Sequence, residues 1–246
     1  EDLTGRIRVL INKNKPELYE KAEEISLDSV VGFSGSGNRE IFFAKDIVFP
    51  EAIIFERKKS PVEEYALFIG DVHFGSKLFL EKSFLKFIDY LNGKIPDTPE
   101  VDKIKYIFIV GDLITGIGNY PNQENDLRVK ELEEQFLEIA CLLRKIRKDI
   151  NIIISPGNHD CVRIMEPQPV FDEKFAWPLY ELENVFFTEN PARVNIGARK
   201  NFSGFNVLTY HGFSFPYYAR NVPSLMKKKA MNSPEDIIKY LLRNRH

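Results

Sequence analysis

The chain has 246 residues, 43% of them hydrophobic, and 34 Lys and Arg stand against 36 Asp and Glu for a formal net charge of −2. That composition excludes wholesale disorder, lacks the basic balance of a protein that holds nucleic acid by charge alone, and contains no apolar run near the roughly 18–20 residues of a membrane span. Bound cations would add charge that this count leaves out, so action on phosphodiesters stays open.

The chain opens with Glu1-Asp2 in place of a Met or a basic, apolar leader, which leads us to expect a piece of a longer protein without a secretory signal. Its two cysteines, Cys141 and Cys161, suit a reducing cytoplasm better than a disulfide framework.

Residues 5–11 alternate as a strand does, and residues 16–25, with Pro16 in the first turn, read as a short helix. Residues 29–32 and 40–48 read as further strands, separated by a turn at Ser34-Gly35-Ser36-Gly37-Asn38. Strand, helix, strand and hairpin make part of an OB-fold barrel, with about three of its five strands present. Lys58-Lys59-Ser60-Pro61 marks the boundary, so we expect a partial OB-fold domain over residues 1–58 and a second domain over 61–246.

From Pro61 onward strands and helices alternate, as in an α/β sandwich. Apolar strands over residues 65–69, 106–110, 150–154 and 207–210 each run into a polar cluster. These are Asp71-Val72-His73, Gly111-Asp112, Gly157-Asn158-His159-Asp160 and His211-Gly212. Residues 80–91 form an amphipathic helix. Residues 127–148 form a longer one, with Leu132, Phe136, Ile139, Leu143 and Ile146 on one stripe and Cys141 read as core. The Gly-, Asn- and Pro-rich residues 115–126 form a long loop beside the site, which suggests a lid or substrate contact. Residues 234–245 read as a final helix.

In open α/β sheets the binding crevice lies beyond the carboxyl ends of the strands. Asp71, His73, Asp112, Asn158 and His211 would all project there, a mixture of hard oxygens and imidazole nitrogens suited to two divalent cations. Asp112 would bridge the ions, Asp71 and His73 would bind one, and Asn158 and His211 the other. Water activated by the ions would attack phosphorus in line. His159 would contact the transition state or protonate the leaving oxygen, and Asp160 would orient that imidazole. Taken singly, each cluster also reads as an ordinary turn after a strand; the order of all four carries the assignment.

Asp-x-His, Gly-Asp, Gly-Asn-His-Asp and a later His resemble the calcineurin-like metallophosphoesterase superfamily. Within it, Asp28-Ser29-Val30-Val31-Gly32, Phe68-Ile69-Gly70-Asp71-Val72-His73 and Glu166-Pro167-Gln168-Pro169 resemble the small-subunit family of the archaeal family-D DNA polymerases. The resemblance implies an OB-fold module followed by a phosphoesterase sandwich of two central β-sheets flanked by helices. It also implies 3′→5′ proofreading exonuclease activity with two divalent metal ions, Mn²⁺ first, with Fe, Zn or Mg as alternatives. The implied partners are a large catalytic polymerase subunit and the 3′ end of a DNA primer, with no membrane. By the family pattern Asp71, His73, Asp112, Asn158 and His211 are the metal ligands and His159 the catalytic imidazole. The family's Gly-His-x-His segment does not follow His211, so we expect the C-terminal part of the site to be missing from this chain. A non-catalytic scaffold subunit and a stand-alone metallophosphoesterase are the alternative functions.

Overall fold

The computed structural model describes residues 5–27, 29–50 and 57–244. They fall into two units, Lys58–Phe213 and a second made of Glu1–Arg57 with Ser214–His246.

Strand β1 (Arg8–Leu10) pairs in parallel with β3 (Ile41–Val48), and β2 (Gly32–Gly37) pairs antiparallel to β3 on its other side. Helix α1 (Pro16–Ala22), shorter than the expected 16–25, buries Leu18 in a small core with Ala44, Ile47 and Phe49. The Ser34–Gly37 turn expected from sequence is instead strand. Asn38 draws the reversal to itself, because its Oδ1 accepts the backbone N–H groups of Glu40 at 2.8 Å and Ile41 at 2.9 Å.

In the larger unit, β4 (Tyr65–Ile69), β5 (Ile104–Val110), β6 (Asn151–Ser155) and β7 (Val185–Phe187) form a parallel sheet in that order. Helices α2 (Glu81–Leu91), α3 (Leu132–Leu143) and α4 (Glu173–Tyr180) lie between successive strands in the chain. Ile107, Ile109, Ile152 and Ile154 are buried in one core with Phe136, Ile139 and Leu143 of α3, which is why β6 reads as an unbroken apolar run. Strands β8 (Ala192–Ile196) and β9 (Phe205–Thr209) add an antiparallel pair. This is an α/β architecture with a parallel sheet and helices, consistent with a calcineurin-like phosphoesterase.

Helix α3 starts five residues later than the sequence suggests. Leu127 bridges to Ser76, and the N–H groups of Arg128 and Val129 both donate to Gly75 O, so residue 127 is a β-bridge and residues 128–129 a bend ahead of the helix. Cys141, expected in the core, is exposed, because α3 buries its neighbours Ala140 and Leu142 and turns residue 141 outward.

Helices α5 (Phe215–Asn221), α6 (Pro223–Lys227) and α7 (Pro234–Asn244) close the chain. They group with the N-terminal residues, although the sequence boundary had put residues 214–246 with the phosphoesterase domain. Lys227 pairs with Glu23, Arg243 pairs with Glu24, and the Arg243 guanidinium lies 4.0 Å from the centre of the Phe49 ring.

Candidate metal centre

The parallel register brings the strand ends level. Ile69 is paired with Ile109, and Ile109 with Ile154, so the residues that follow leave the sheet side by side. The ladder continues into the loops: Asp71 N donates to Gly111 O at 3.1 Å, His73 N to Asp112 O at 2.9 Å, and Gly111 N to Ser155 O at 3.0 Å. Backbone geometry at the turns is unusual. Asp71, His73 and Asp112 have φ of 51°, 47° and 52°, left-handed values that cost non-glycine residues free energy and cluster at functional sites.

Asp112 is the hub. It is 3% exposed. Its Oδ2 lies 3.6 Å from His73 Nε2 and 3.5 Å from His211 Nε2, while its Oδ1 accepts the backbone N–H of His159 at 2.9 Å. Asn158 Oδ1 lies 3.1 Å from His211 Nε2, and Asp71 Oδ1 lies 3.7 Å from His73 Nε2. Two clusters of ligand atoms, each within 4.8 Å, follow: His73, Asp112 and His159, and Asp71, Asp112 and His211. Asp112 belongs to both, as expected of a bridging ligand. Asp71 lies within reach of His73 as well as of His211, and the His159 ring lies with His73.

Two glycines make the close approach feasible. A Cβ on Gly111 would lie 2.1 Å from His211 Nδ1, and one on Gly157 would lie 2.2 Å from Asp112 Oδ1. Gly111 also has φ of 80°. Side chains at either position would occupy the space into which the ligands converge.

His211 donates Nδ1–H to Val110 O at 3.1 Å, which leaves Nε2 facing Asp112 and Asn158. Burial works against its imidazolium, but the hydrogen bond and charge of Asp112 outweigh this and push its pKa up to about 9. For Asp112, burial is outweighed by His211 and by the His159 backbone N–H, which hold the carboxyl below its ordinary value. The hydrogen bond to Asp71 raises His73 above an ordinary histidine against the opposing effect of burial. Without cations these groups balance one another as ion pairs; with cations the imidazoles surrender their protons.

Asp160 does not hold the His159 ring. Its Oδ1 accepts from Ile114 N at 3.0 Å and its Oδ2 from Gly157 N at 2.7 Å, so it ties the loop after β5 to the loop after β6. Burial pushes its carboxyl up to about 7 against those two backbone donors. The imidazole of His159 is held by the Thr115 carbonyl, 2.9 Å from its Nδ1. That oxygen can only accept, so Nδ1 carries the proton and Nε2 is left to face the cavity. The His73 and His159 rings meet edge to face at 4.8 Å.

Several positioning residues escaped the sequence reading. Thr115 O also accepts from Asn119 Nδ2 at 3.1 Å and from the buried Gln123 Nε2 at 3.0 Å. Gln135, fully buried on α3, accepts from Gly116 N at 3.0 Å and donates to Val129 O at 2.9 Å. The loop over residues 115–126 is therefore tied internally by Gln123 and anchored to α3 by Gln135. A polar residue on the apolar stripe of α3 was the available signal for Gln135. Glu166, Gln168 and Asn190 bracket His211. Tyr210 Oη donates to Glu166 Oε2 at 2.6 Å and Phe213 N to Glu166 Oε1 at 3.0 Å. Asn190 Nδ2 donates to Gln168 Oε1 at 2.6 Å.

The Asp71 carboxylate, the His73 and His211 imidazoles and the Asn158 amide oxygen thus converge around the Asp112 carboxylate, a donor set that fits two divalent cations, with the His159 imidazole beside it.

Residues 66–244 match the model of the calcineurin-like phosphoesterase family. The chain is 37% identical over 249 residues to the DNA polymerase II small subunit of Methanothermobacter thermautotrophicus, an alignment covering 100% of this chain and 49% of that one. It is 38% identical over 250 residues to the protein of the same name from Methanocaldococcus jannaschii, covering 100% and 40%. With the Pyrococcus furiosus protein of that name it shares 37% over 235 residues, covering 93% and 37%. The chain therefore spans about half the length of these relatives, or less.

Proposed function

The chain belongs to the calcineurin-like phosphoesterase family, and from that membership we propose that it is the 3′→5′ exonuclease part of a DNA polymerase small subunit, hydrolysing DNA phosphodiesters at a primer 3′ end. The family's fold implies divalent metal ions. Asp71, His73, Asp112, Asn158 and His211 would hold two of them, Mn²⁺ by preference. When bound, the ions supply an activated water and neutralise charge on the phosphoryl oxygens.

The residues of the chain do the rest. His159, fixed through Nδ1 by Thr115 O, presents Nε2 to the cavity. In its imidazolium form that nitrogen gives its proton to the 3′ oxygen of the penultimate nucleotide as the P–O bond to that oxygen breaks and the oxygen of water joins phosphorus. The products are a nucleoside 5′-monophosphate and a DNA end one nucleotide shorter with a free 3′ hydroxyl. Asp112 orders the His159 backbone and both flanking imidazoles at once. Asp160 acts as a tie between the loops that carry Asp112 and Asn158. In this reading the N-terminal strands are part of an OB-fold module, and the partner is the large polymerase subunit.

The observation that carries the reading is the Asp112 carboxylate, common to both ligand clusters. A scaffold has no need of buried ionisable groups converging in this way. The test supplies a 3′-recessed primer with a terminal mismatch and Mn²⁺ to the full-length protein, alone and with the large subunit. Release of mononucleotides, abolished by a chelator and by His159→Ala, is expected. An intact primer with turnover of a generic aryl phosphate would favour a stand-alone phosphomonoesterase, and no turnover of either would favour a scaffold.

A further inference from the structure

A cavity of about 690 Å³ opens from the candidate metal centre. Asp71, His73 and His159 line one part of it, and Leu78, Phe79, Leu80, Phe84 and Phe87 another, with Tyr120 contributed by the pinned loop. That volume falls within the range of about 300–1,000 Å³ usual for sites that enclose a small organic group. The apolar wall is not spare core. Leu78 is 85% exposed and Leu80 is 72% exposed, directly ahead of α2. Two large aliphatic side chains in water gain nothing for folding, and their clustering beside polar ligands marks a binding surface. Behind them Phe79 and Phe84 pack with ring centres 5.6 Å apart, and Phe84 and Phe87 with centres 6.2 Å apart, so the wall is backed by a row of rings. Tyr120, which also lines the cavity, is held by its hydroxyl, which donates to Asp126 Oδ2 at 2.8 Å.

We propose that this apolar annex, with Leu78, Leu80, Phe84 and Tyr120 as its contacts, is the subsite for the nucleobase of the 3′-terminal nucleotide. The inference rests on the reading that the Asp71–His211 cluster takes the phosphate. Its occupant must then carry a phosphoryl group at one end and a flat apolar group at the other, which is the chemistry of a nucleotide. Bases stack on aromatic and aliphatic faces with little regard to sequence. Among the described residues no Asn, Gln or Arg lines the cavity to read the Watson–Crick edge, and its neutral polar side chains are the hydroxyls of Ser76, Ser83, Thr115 and Tyr120. The subsite therefore accepts any base that has left its partner strand, and a frayed or mismatched end enters more readily than a paired one.

The experiment compares two ligands on the full-length protein loaded with Mn²⁺: a deoxynucleoside 5′-monophosphate and 2-deoxyribose 5-phosphate, which lacks the base. Binding is read by calorimetry. The nucleotide should bind about tenfold tighter or better, and Leu78→Ser with Leu80→Ser, or Tyr120→Ala, should erase most of that advantage. The two leucines are exposed, so their replacement does not endanger the fold. Equal affinity for the two ligands, or an advantage unchanged in all the variants, would overturn the subsite. The companion measurement is cleavage of single-stranded DNA ending in a normal or an abasic nucleotide, with slower release of the abasic one expected. If the base preference in binding holds but no DNA is cut, the exonuclease reading fails and the subsite stands.

Discussion

Asn190 accepts the backbone N–H of His211 on its Oδ1 at 2.8 Å, which makes a fully buried amide the support of a candidate metal ligand. The same side chain donates to Gln168, and the backbones of Gln168 and Asn190 exchange two further hydrogen bonds at 2.7 and 3.0 Å. Replacing Asn190 with Ala would leave the His211 N–H and the Gln168 carbonyl without partners. The expected cost is about 2–4 kcal/mol. Urea unfolding should show it, and metal titration should show one of two sites weakened.

Gly111→Ala and Gly157→Ala test the approach of the strand ends. Each added methyl would meet a ligand side chain, at the non-ligating Nδ1 edge of the His211 ring in the first case and at Asp112 Oδ1 in the second. We expect far-UV circular dichroism close to that of the parent, and Mn²⁺ affinity lowered by about tenfold or more, the loss typical when ligand support is disturbed.

The His211–Asp112 pair predicts how the metal-free protein responds to pH. The folded-state pKa of His211 is raised to about 9 from 6.5, so its contribution is fully present below pH 6.5 and is lost as pH rises through 9. Asp160, raised from 3.8 to about 7, acts in the same direction at lower pH: its penalty grows as the pH climbs from 3.8 to 7. In chelator, unfolding free energy should fall on the order of 2–3 kcal/mol between pH 6.5 and 9. Asp112→Asn should flatten that slope, because it removes the main partner of His211. Mn²⁺ added at pH 7 should release protons, measurable in weak buffer.

His159→Ala should separate chemistry from binding, and it decides whether the ring that lies with His73 and Asp112 is a proton donor, as proposed, or a third imidazole ligand, in which case Mn²⁺ content would fall as well. The imidazole is held by a backbone carbonyl, and its loss leaves the carboxylates, His73, Asn158 and His211 in place. DNA hydrolysis should drop about 10²–10⁴-fold, the usual contribution of a positioned acid. The Mn²⁺ content should change little.

The polar clusters at the strand ends were legible because parallel strands buried on both faces are apolar throughout, so Gly111-Asp112 and Gly157-Asn158-His159-Asp160 interrupt Ile and Val runs abruptly. Side-chain identity also suggested Asp112 as a bridging group, and it is the residue common to both candidate clusters. What held His159 was not legible, since a carbonyl belongs to every residue and nothing in the letter for Thr115 announces that three donors meet there. For a related reason Asp160 does not meet the partner its sequence suggests: adjacency along the chain points to His159, while the turn aims the carboxylate at the backbone of Ile114 and Gly157. Asn190 lies 21 residues from His211 and their meeting depends on how β8 and β9 fold back. In the N-terminal unit, Ser and Gly suggested a turn where pairing with β3 imposed a strand.

The account depends on two cations gathered around one carboxylate. Crystals of the full-length protein grown with Mn²⁺ and measured at the manganese absorption edge test it directly. The account predicts two anomalous peaks roughly 3.5–4 Å apart, one on either side of Asp112, with His73 beside one and His211 beside the other. A single peak remote from Asp112, or no peak at saturating Mn²⁺, would contradict it.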